Sequence, residues 1–335
     1  MLKTRIPGNN HRTLTALARG LAGLLLLLCH GVAPAQDAAS AATGNDRQLV
    51  VAASIRPLGL IAAELLAPVA PEAVEVIVPA TASPHGFSLQ PSDMRLVMSA
   101  PLLLWLGPEF EPYLEKALEK RPAALADGVV AAVDLSGIRL LPVRQVAQAH
   151  TPGHHHHDHH QDEHQEASYH DPHLWWDSHN AILVARALTG QLIRLYPQWQ
   201  AALTESLARF TEQLAAKRGQ LLAATRTGGG FINYHDSLVY LEKELGISSE
   251  RRVALAPEDK PSVRDMLSLV TWLEDTRVSC VIVEPGVNPR FLEKINGRGA
   301  LKEVAIDPLG WDASSYSAMW SLAASRLMEC ARAAP

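Results

Sequence analysis

The sequence runs to 335 residues, 47% hydrophobic and 19% charged, with a formal net charge of −5 at pH 7. That length allows two domains of ordinary size. The acidic balance argues against nucleic acid or an anionic membrane surface as the principal partner, more so without residues 1–35, whose loss takes Lys3, Arg5, Arg12 and Arg19 and moves the charge to −9.

Residues 1–35 read as a secretory signal peptide. Four cations precede the apolar run 21–28, an Ala33-Pro34-Ala35 site follows, and no acidic residue comes before Asp37. The run is short for a permanent membrane span. Cys29 offers a lipid-anchor alternative, which the bulky Leu27 and Leu28 disfavour. Residues 36–46 form a small-residue linker. From 47 to 195 the pattern is that of an α/β lobe, with predicted strands at 49–53, 74–78, 102–106 and 129–135. Helices are predicted at 58–66 and around Tyr113, Leu114 and Leu118. Residues 150–170 interrupt it with nine of the fifteen histidines, mixed with Asp158, Asp162, Glu163 and Glu166, and predict a disordered surface loop.

A connecting helix is predicted over 196–227, because Trp199, Leu203, Leu207, Phe210, Leu214 and Leu221 recur on one face between Pro197 and the glycines after Thr227. The α/β pattern resumes over 228–335, with strands at 231–234, 278–283 and 304–306 and helices at 238–245 and 263–273. The expected fold is two α/β lobes with parallel sheets, joined by one long rigid helix, with a metal site in the cleft between them. A rigid connection predicts small closure rather than a wide hinge. Export leaves Cys280 and Cys330 as the cysteines of the mature chain. They read as one disulfide, worth roughly 4 kcal/mol on the chain-entropy model, or as two unpaired buried thiols.

Candidate ligands stand at the ends of strands, where open α/β sheets place their sites. His85 follows the second strand, His235 directly follows Phe231-Ile232-Asn233-Tyr234, and Asp307 directly follows Val304-Ala305-Ile306. His173 comes just after the polar loop, where His170 and His179 compete with it. Three neutral imidazoles and a carboxylate suit tetrahedral Zn²⁺, whereas Mn²⁺ would call for more oxygen ligands. Glu284 also ends a strand, as a ligand or as the carboxylate that accepts the far N–H of a ligand histidine.

The landmarks Pro84-His85, Gln90-Pro91-Ser92-Asp93, Asp171-Pro172-His173-Leu174-Trp175, Tyr234-His235-Asp236, Glu284-Pro285 and Asp307-Pro308-Leu309-Gly310 span nearly all of the mature chain. In order and spacing they resemble the metal-specific substrate-binding proteins of bacterial ABC importers, most closely the high-affinity zinc-uptake type. The resemblance implies His85, His173, His235 and Asp307 as the Zn²⁺ ligands, a Cys280–Cys330 disulfide, and a monomer in the periplasm that delivers Zn²⁺ to a membrane permease. A histidine at 235 favours zinc, since manganese-type relatives tend to carry glutamate there. Some zinc-type members have an acidic residue just before the first ligand histidine; Pro84 stands there in this chain, which leaves Asp307 or water as the fourth ligand.

Within the polar loop, His154, His155, His156, His157, His159, His160 and His164 form an auxiliary set suited to weak, multi-site zinc binding, the alternative being an inert linker. Two other functions compete with import. One is a zinc buffer or surface adhesin without transport. The other is a zinc hydrolase, against which the chain lacks H-E-x-x-H and an evident general base, so a non-enzyme is expected.

Overall fold

A computed structural model of the chain describes residues 49–144, 170–223, 229–254, 258–296 and 301–332. The predicted signal peptide and linker, and all seven auxiliary histidines of the polar loop, lie outside the described residues.

The first half builds a parallel sheet from β1 (Val51–Ala53), β2 (Val74–Val76), β3 (Leu102–Trp105) and β4 (Val129–Ala131), in the order β2-β1-β3-β4. Its helices are α1 (Arg56–Leu66), α2 (Pro91–Ser99) and α3 (Pro112–Leu118). Next come α4 (Ser178–Leu195) and α5 (Gln200–Ala223), linked by a 3₁₀ turn at Pro197–Trp199. The second half repeats the arrangement with β5 (Gly230–His235), β6 (Arg251–Ala254), β7 (Val278–Val283) and β8 (Lys302–Ala305), ordered β6-β5-β7-β8 and again parallel. Its helices are α6 (Val239–Leu245), α7 (Val263–Glu274), α8 (Pro289–Asn296) and α9 (Tyr316–Ala331).

Strand alternation explains the layers. Successive side chains face opposite sides of a sheet. Val51, Ala53, Leu102 and Leu104 therefore face an inner core, while Ala52, Leu103 and Trp105 face α2 and α3. In the second sheet, Phe231, Cys280 and Ile282 face inward, and Ile232, Tyr234, Val281 and Val283 face α7 and α8. Both faces are covered, so the strands read as continuous apolar runs.

The inner core is continuous from one sheet to the other. It includes Leu58 and Leu65 of α1, Val184 and Leu188 of α4, Phe210 and Leu214 of α5, and Trp320 and Leu327 of α9. The long helix is thus embedded among α1, α4 and α9. Ser317 on α9 also donates its backbone N–H (2.9 Å) and its hydroxyl to the Glu64 carboxylate on α1. A wide swing of the halves would break this shared core.

Most predicted elements shift by a residue or two at their ends, and two shifts have a clear cause. The strand predicted at 129–135 ends at Ala131, where a 3₁₀ turn over Ala132–Asp134 takes over. The connecting helix starts at Gln200 because Pro197 opens a separate turn, leaving Trp199 stacked on Tyr196 at 4.2 Å rather than on the helix face.

At the carboxyl end of β3, Glu111 is 1% exposed; its carboxylate accepts the Leu106 N–H and the Tyr113 hydroxyl. Burial pushes its pKa up to about 7 from an ordinary 4.5. The neutral form is therefore favoured by folding. Its stabilisation is fully present below pH 4.5 and is lost as pH rises to about 7, a total of about 3 kcal/mol. Glu111→Gln, which keeps an acceptor oxygen without the charge, is expected to flatten this part of the stability–pH curve. Urea titrations between pH 5 and 8 check this, and an unchanged slope would remove Glu111 as its source.

Candidate metal centre

His85 sits on a 3₁₀ turn, Pro84–Gly86, between β2 and α2. Pro84 fixes the first position of the turn, and the Ser83 hydroxyl caps it by accepting the His85 backbone N–H at 3.3 Å. His173 immediately precedes a second 3₁₀ turn, Leu174–Trp176, at the start of the segment that leads into α4. His235 is the last residue of β5. Strand order changes direction between β5 and β7, so this strand end opens into the crevice that such a reversal creates.

The three imidazoles converge. Their ring centroids are 5.4 Å (His85–His173), 5.1 Å (His85–His235) and 5.0 Å (His173–His235) apart, and one nitrogen from each lies within 4.8 Å of the others. Two of the rings are held by carboxylates. His173 Nδ1 lies 3.0 Å from Asp171 Oδ1, and His235 Nδ1 lies 3.1 Å from Glu284 Oε1. An ionised carboxylate only accepts, so Nδ1 carries the proton in both rings and Nε2 keeps its lone pair for a cation.

The carboxylates are themselves fixed. Asp171 Oδ1 also accepts the His173 backbone N–H (2.9 Å), and its own backbone is held by Leu141 O (2.7 Å) and the Tyr240 hydroxyl (3.0 Å). Glu284, the residue after β7, accepts the Ser237 hydroxyl. Asp236, next to His235, is ion-paired with Arg144 (2.8 Å) and Arg252 (3.3 Å).

His173 and His235 are buried, whereas His85 is exposed at the mouth of the cleft. Protein crowded around the His85 ring still desolvates its charged form, and repulsion from His173 and His235 adds to this, pushing its pKa down to about 3. At neutral pH it presents a free lone pair. For His235, burial lowers the pKa, but the Glu284 hydrogen bond and charge, with Asp171 and Asp236, outweigh it and leave the value raised. The raised value means that, as pH falls, a proton competes for the Nε2 lone pair sooner than on an ordinary histidine.

Asp307 and Glu284 line the same cleft, whose volume is about 560 Å³. Asp307 lies outside the close-set group of three nitrogens. Its Oδ1 accepts the Leu309 N–H (2.9 Å) and its Oδ2 the Trp311 N–H (2.8 Å), which hold the carboxylate to its own turn. Of the histidines competing with His173, His170 lies against Glu109 (3.2 Å) and His179 against the Gly137 carbonyl (3.2 Å), so neither joins the triad. Cys280 on β7 and Cys330 on α9 form a disulfide with their Cα atoms 5.5 Å apart.

The role of Asp171 was not read from the sequence. Its signal is the Asp-x-His spacing, because an aspartate accepts the backbone N–H two residues on. No sequence signal reveals the Glu258 carboxylate, which accepts the Ser83 hydroxyl at 3.2 Å from 175 residues away.

A family model described as zinc-uptake complex component A, periplasmic, matches residues 51–330. The high-affinity zinc uptake system protein ZnuA of Yersinia pestis is 30% identical over 300 residues, covering 85% of this chain and 92% of that protein. A zinc-bound ZnuA deletion mutant superposes with a TM-score of 0.65 at 20% identity, covering 86% of this chain and 100% of that one. The Mn²⁺ complex of the substrate-binding protein FpvC from Pseudomonas aeruginosa gives a TM-score of 0.66 at 16% identity, covering 85% of this chain and 99% of that one. Neighbours this similar hold zinc and manganese respectively, so the fold alone does not select the metal.

Proposed function

Because the chain belongs to the family of periplasmic zinc-uptake complex components, we propose that His85, His173 and His235 capture one Zn²⁺ ion for delivery to the membrane permease of an ABC importer. The observation that carries this reading is the convergence of three imidazole nitrogens within 4.8 Å, two of them with their tautomers set by carboxylates. An all-nitrogen triad suits a borderline-soft ion better than one that prefers oxygen. The family consists of binding components rather than enzymes, and zinc here is cargo.

Asp307 completes the coordination from the cleft wall, using lone pairs not engaged by its two backbone donors. It contributes less than any histidine of the triad, being the one proposed ligand outside the close group. The histidines of 150–168 act separately, as a weak reservoir that raises zinc concentration near the cleft. Residues 1–35 direct export and are removed, and the mature protein works as a monomer. Among the described residues no helix is long and apolar enough to cross a membrane.

Calorimetry with competing chelators tests the assignment. The mature protein is expected to bind one tight zinc equivalent plus weaker ones, and deleting 150–168 should remove only the weaker ones. Asp307→Ala should weaken the tight site roughly tenfold, at the low end of the range for groups that support a metal site. Loss of the tight equivalent on loop deletion would reject the separation of roles. Unchanged affinity in Asp307→Ala would give the fourth position to water.

A further inference from the structure

The three histidines are not held in the same way. His173 and His235 are buried, and each is oriented by a carboxylate, Asp171 or Glu284. The exposed His85 ring has no such carboxylate among the described residues. What fixes it is the turn beneath it, where the Ser83 hydroxyl accepts the His85 backbone N–H at 3.3 Å. That same hydroxyl donates to Glu258 Oε1 at 3.2 Å. Ser83 belongs to the first half of the chain, whereas Glu258 belongs to the second, shortly before α7. The Glu258 carboxylate also lies close to Gly86, with Oε1 3.8 Å from where a side chain there would begin.

We propose that Glu258 is a positioning residue for zinc, a strap from the second half that holds the Ser83–His85 turn over the cleft and so sets how fast the ion leaves. The inference rests on the triad being the zinc site. A hydroxyl that accepts from one group while donating to another fixes its own rotor, so Glu258 orients the Ser83 oxygen toward the His85 N–H. With the strap made, the third imidazole stays over the other two. With it broken, only the local turn holds His85, and the ion leans more on the two buried nitrogens and Asp307. The contact spans the mouth of the site through a single exposed hydrogen bond. It can therefore open without disturbing the shared core, which suits a protein that must grip its cargo and then give it up.

Stopped-flow release of zinc into excess chelator, using the full mature protein, tests this. Glu258→Ala and Ser83→Ala are each expected to speed release about 3- to 10-fold, the effect of one net hydrogen bond. Their double variant should be no faster than Ser83→Ala alone, because that substitution already breaks the link to Glu258. Glu258→Gln should stay within about twofold of wild type, since its amide oxygen still accepts from Ser83. The melting temperature of the metal-free protein should not move in any variant. An unchanged release rate in Glu258→Ala, effects that multiply in the double variant, or a fall in metal-free melting temperature without faster release would each overturn the strap. If the wild type shows no slow release phase for one zinc equivalent, the zinc reading falls and the strap with it. An unaltered slow phase in Glu258→Ala rejects the strap alone.

Discussion

Alanine in place of His235 is expected to weaken tight zinc binding on the order of a thousandfold, beyond the 10–100-fold usual for groups that only support a ligand. The substitution removes one of three converging nitrogens and strips Glu284 of its imidazole partner, leaving the Ser237 hydroxyl on a carboxylate that is 7% exposed. Glu284→Gln separates these effects. The amide oxygen still accepts from Nδ1 but carries no charge, so affinity should fall about 10–100-fold. The pH dependence should change with it. Glu284 helps raise the His235 pKa, which extends proton competition to higher pH, so zinc binding in the wild type should weaken as pH falls and the glutamine variant should respond less steeply. Competition calorimetry at several pH values measures both quantities. Tight binding unaffected by His235→Ala would take the site away from the triad.

The second large effect is on stability. Replacing Cys280 and Cys330 together by alanine is expected to cost about 4 kcal/mol, because the bond closes a sequence separation of 50 residues. For a chain of this size that amounts to a drop of about 6 °C in melting temperature. Both residues are fully buried, so alanine fills most of the space without adding a polar group. The bond fastens α9 to β7, and α9 in turn packs on α1 and α5, so the loss should loosen the shared core more than the cleft. Zinc affinity should therefore move by less than in any triad variant. Differential scanning calorimetry of the oxidised protein and the double variant checks the stability term. A difference below 1 kcal/mol would mean that the native fold or residual structure in the unfolded chain already supplies the constraint.

Much of this architecture is legible in the residues themselves, and the exceptions have physical reasons. Buried parallel strands announce themselves as apolar runs, so Leu102–Trp105 and Val278–Val283 stand out. β6 does not, because an edge strand that reads Arg-Arg-Val-Ala buries only its last residue fully. α4 is not among the predicted elements, although Asp177 caps it and Ala181, Val184, Leu188 and Leu192 repeat at helical spacing. A long polar tract precedes it and the stronger pattern of α5 follows it, so its own signal is weak by comparison.

At the site, strand ends pointed to His235 and Asp307, and the family resemblance supplied the choice of His173 over His170. The geometry brings the three histidines together but places Asp307 outside their close group. Partners that orient the ligands depend on contacts made only on folding. The Glu284–His235 pair joins neighbouring strands 49 residues apart in sequence, and Glu258–Ser83 crosses 175. The strand-end position of Glu284 marks it as a candidate partner, whereas nothing along the chain marks Glu258.

The repeated strand order has a consequence of its own. A sheet ordered 2-1-3-4 has one point where the connections turn back, and this chain has two such sheets, hence two equivalent sockets. In the second, His235 and Glu284 face an open cleft. In the first, Glu111 occupies the socket beside Ser54, sealed at 1% exposure with its oxygens committed to Leu106 and Tyr113. One socket is wired for a cation and its twin is plugged by an acid that burial keeps largely uncharged below neutral pH. That asymmetry leaves a repeated scaffold with a single site: His85 and His173 reach toward the second socket from earlier in the chain, while the first socket stays sealed.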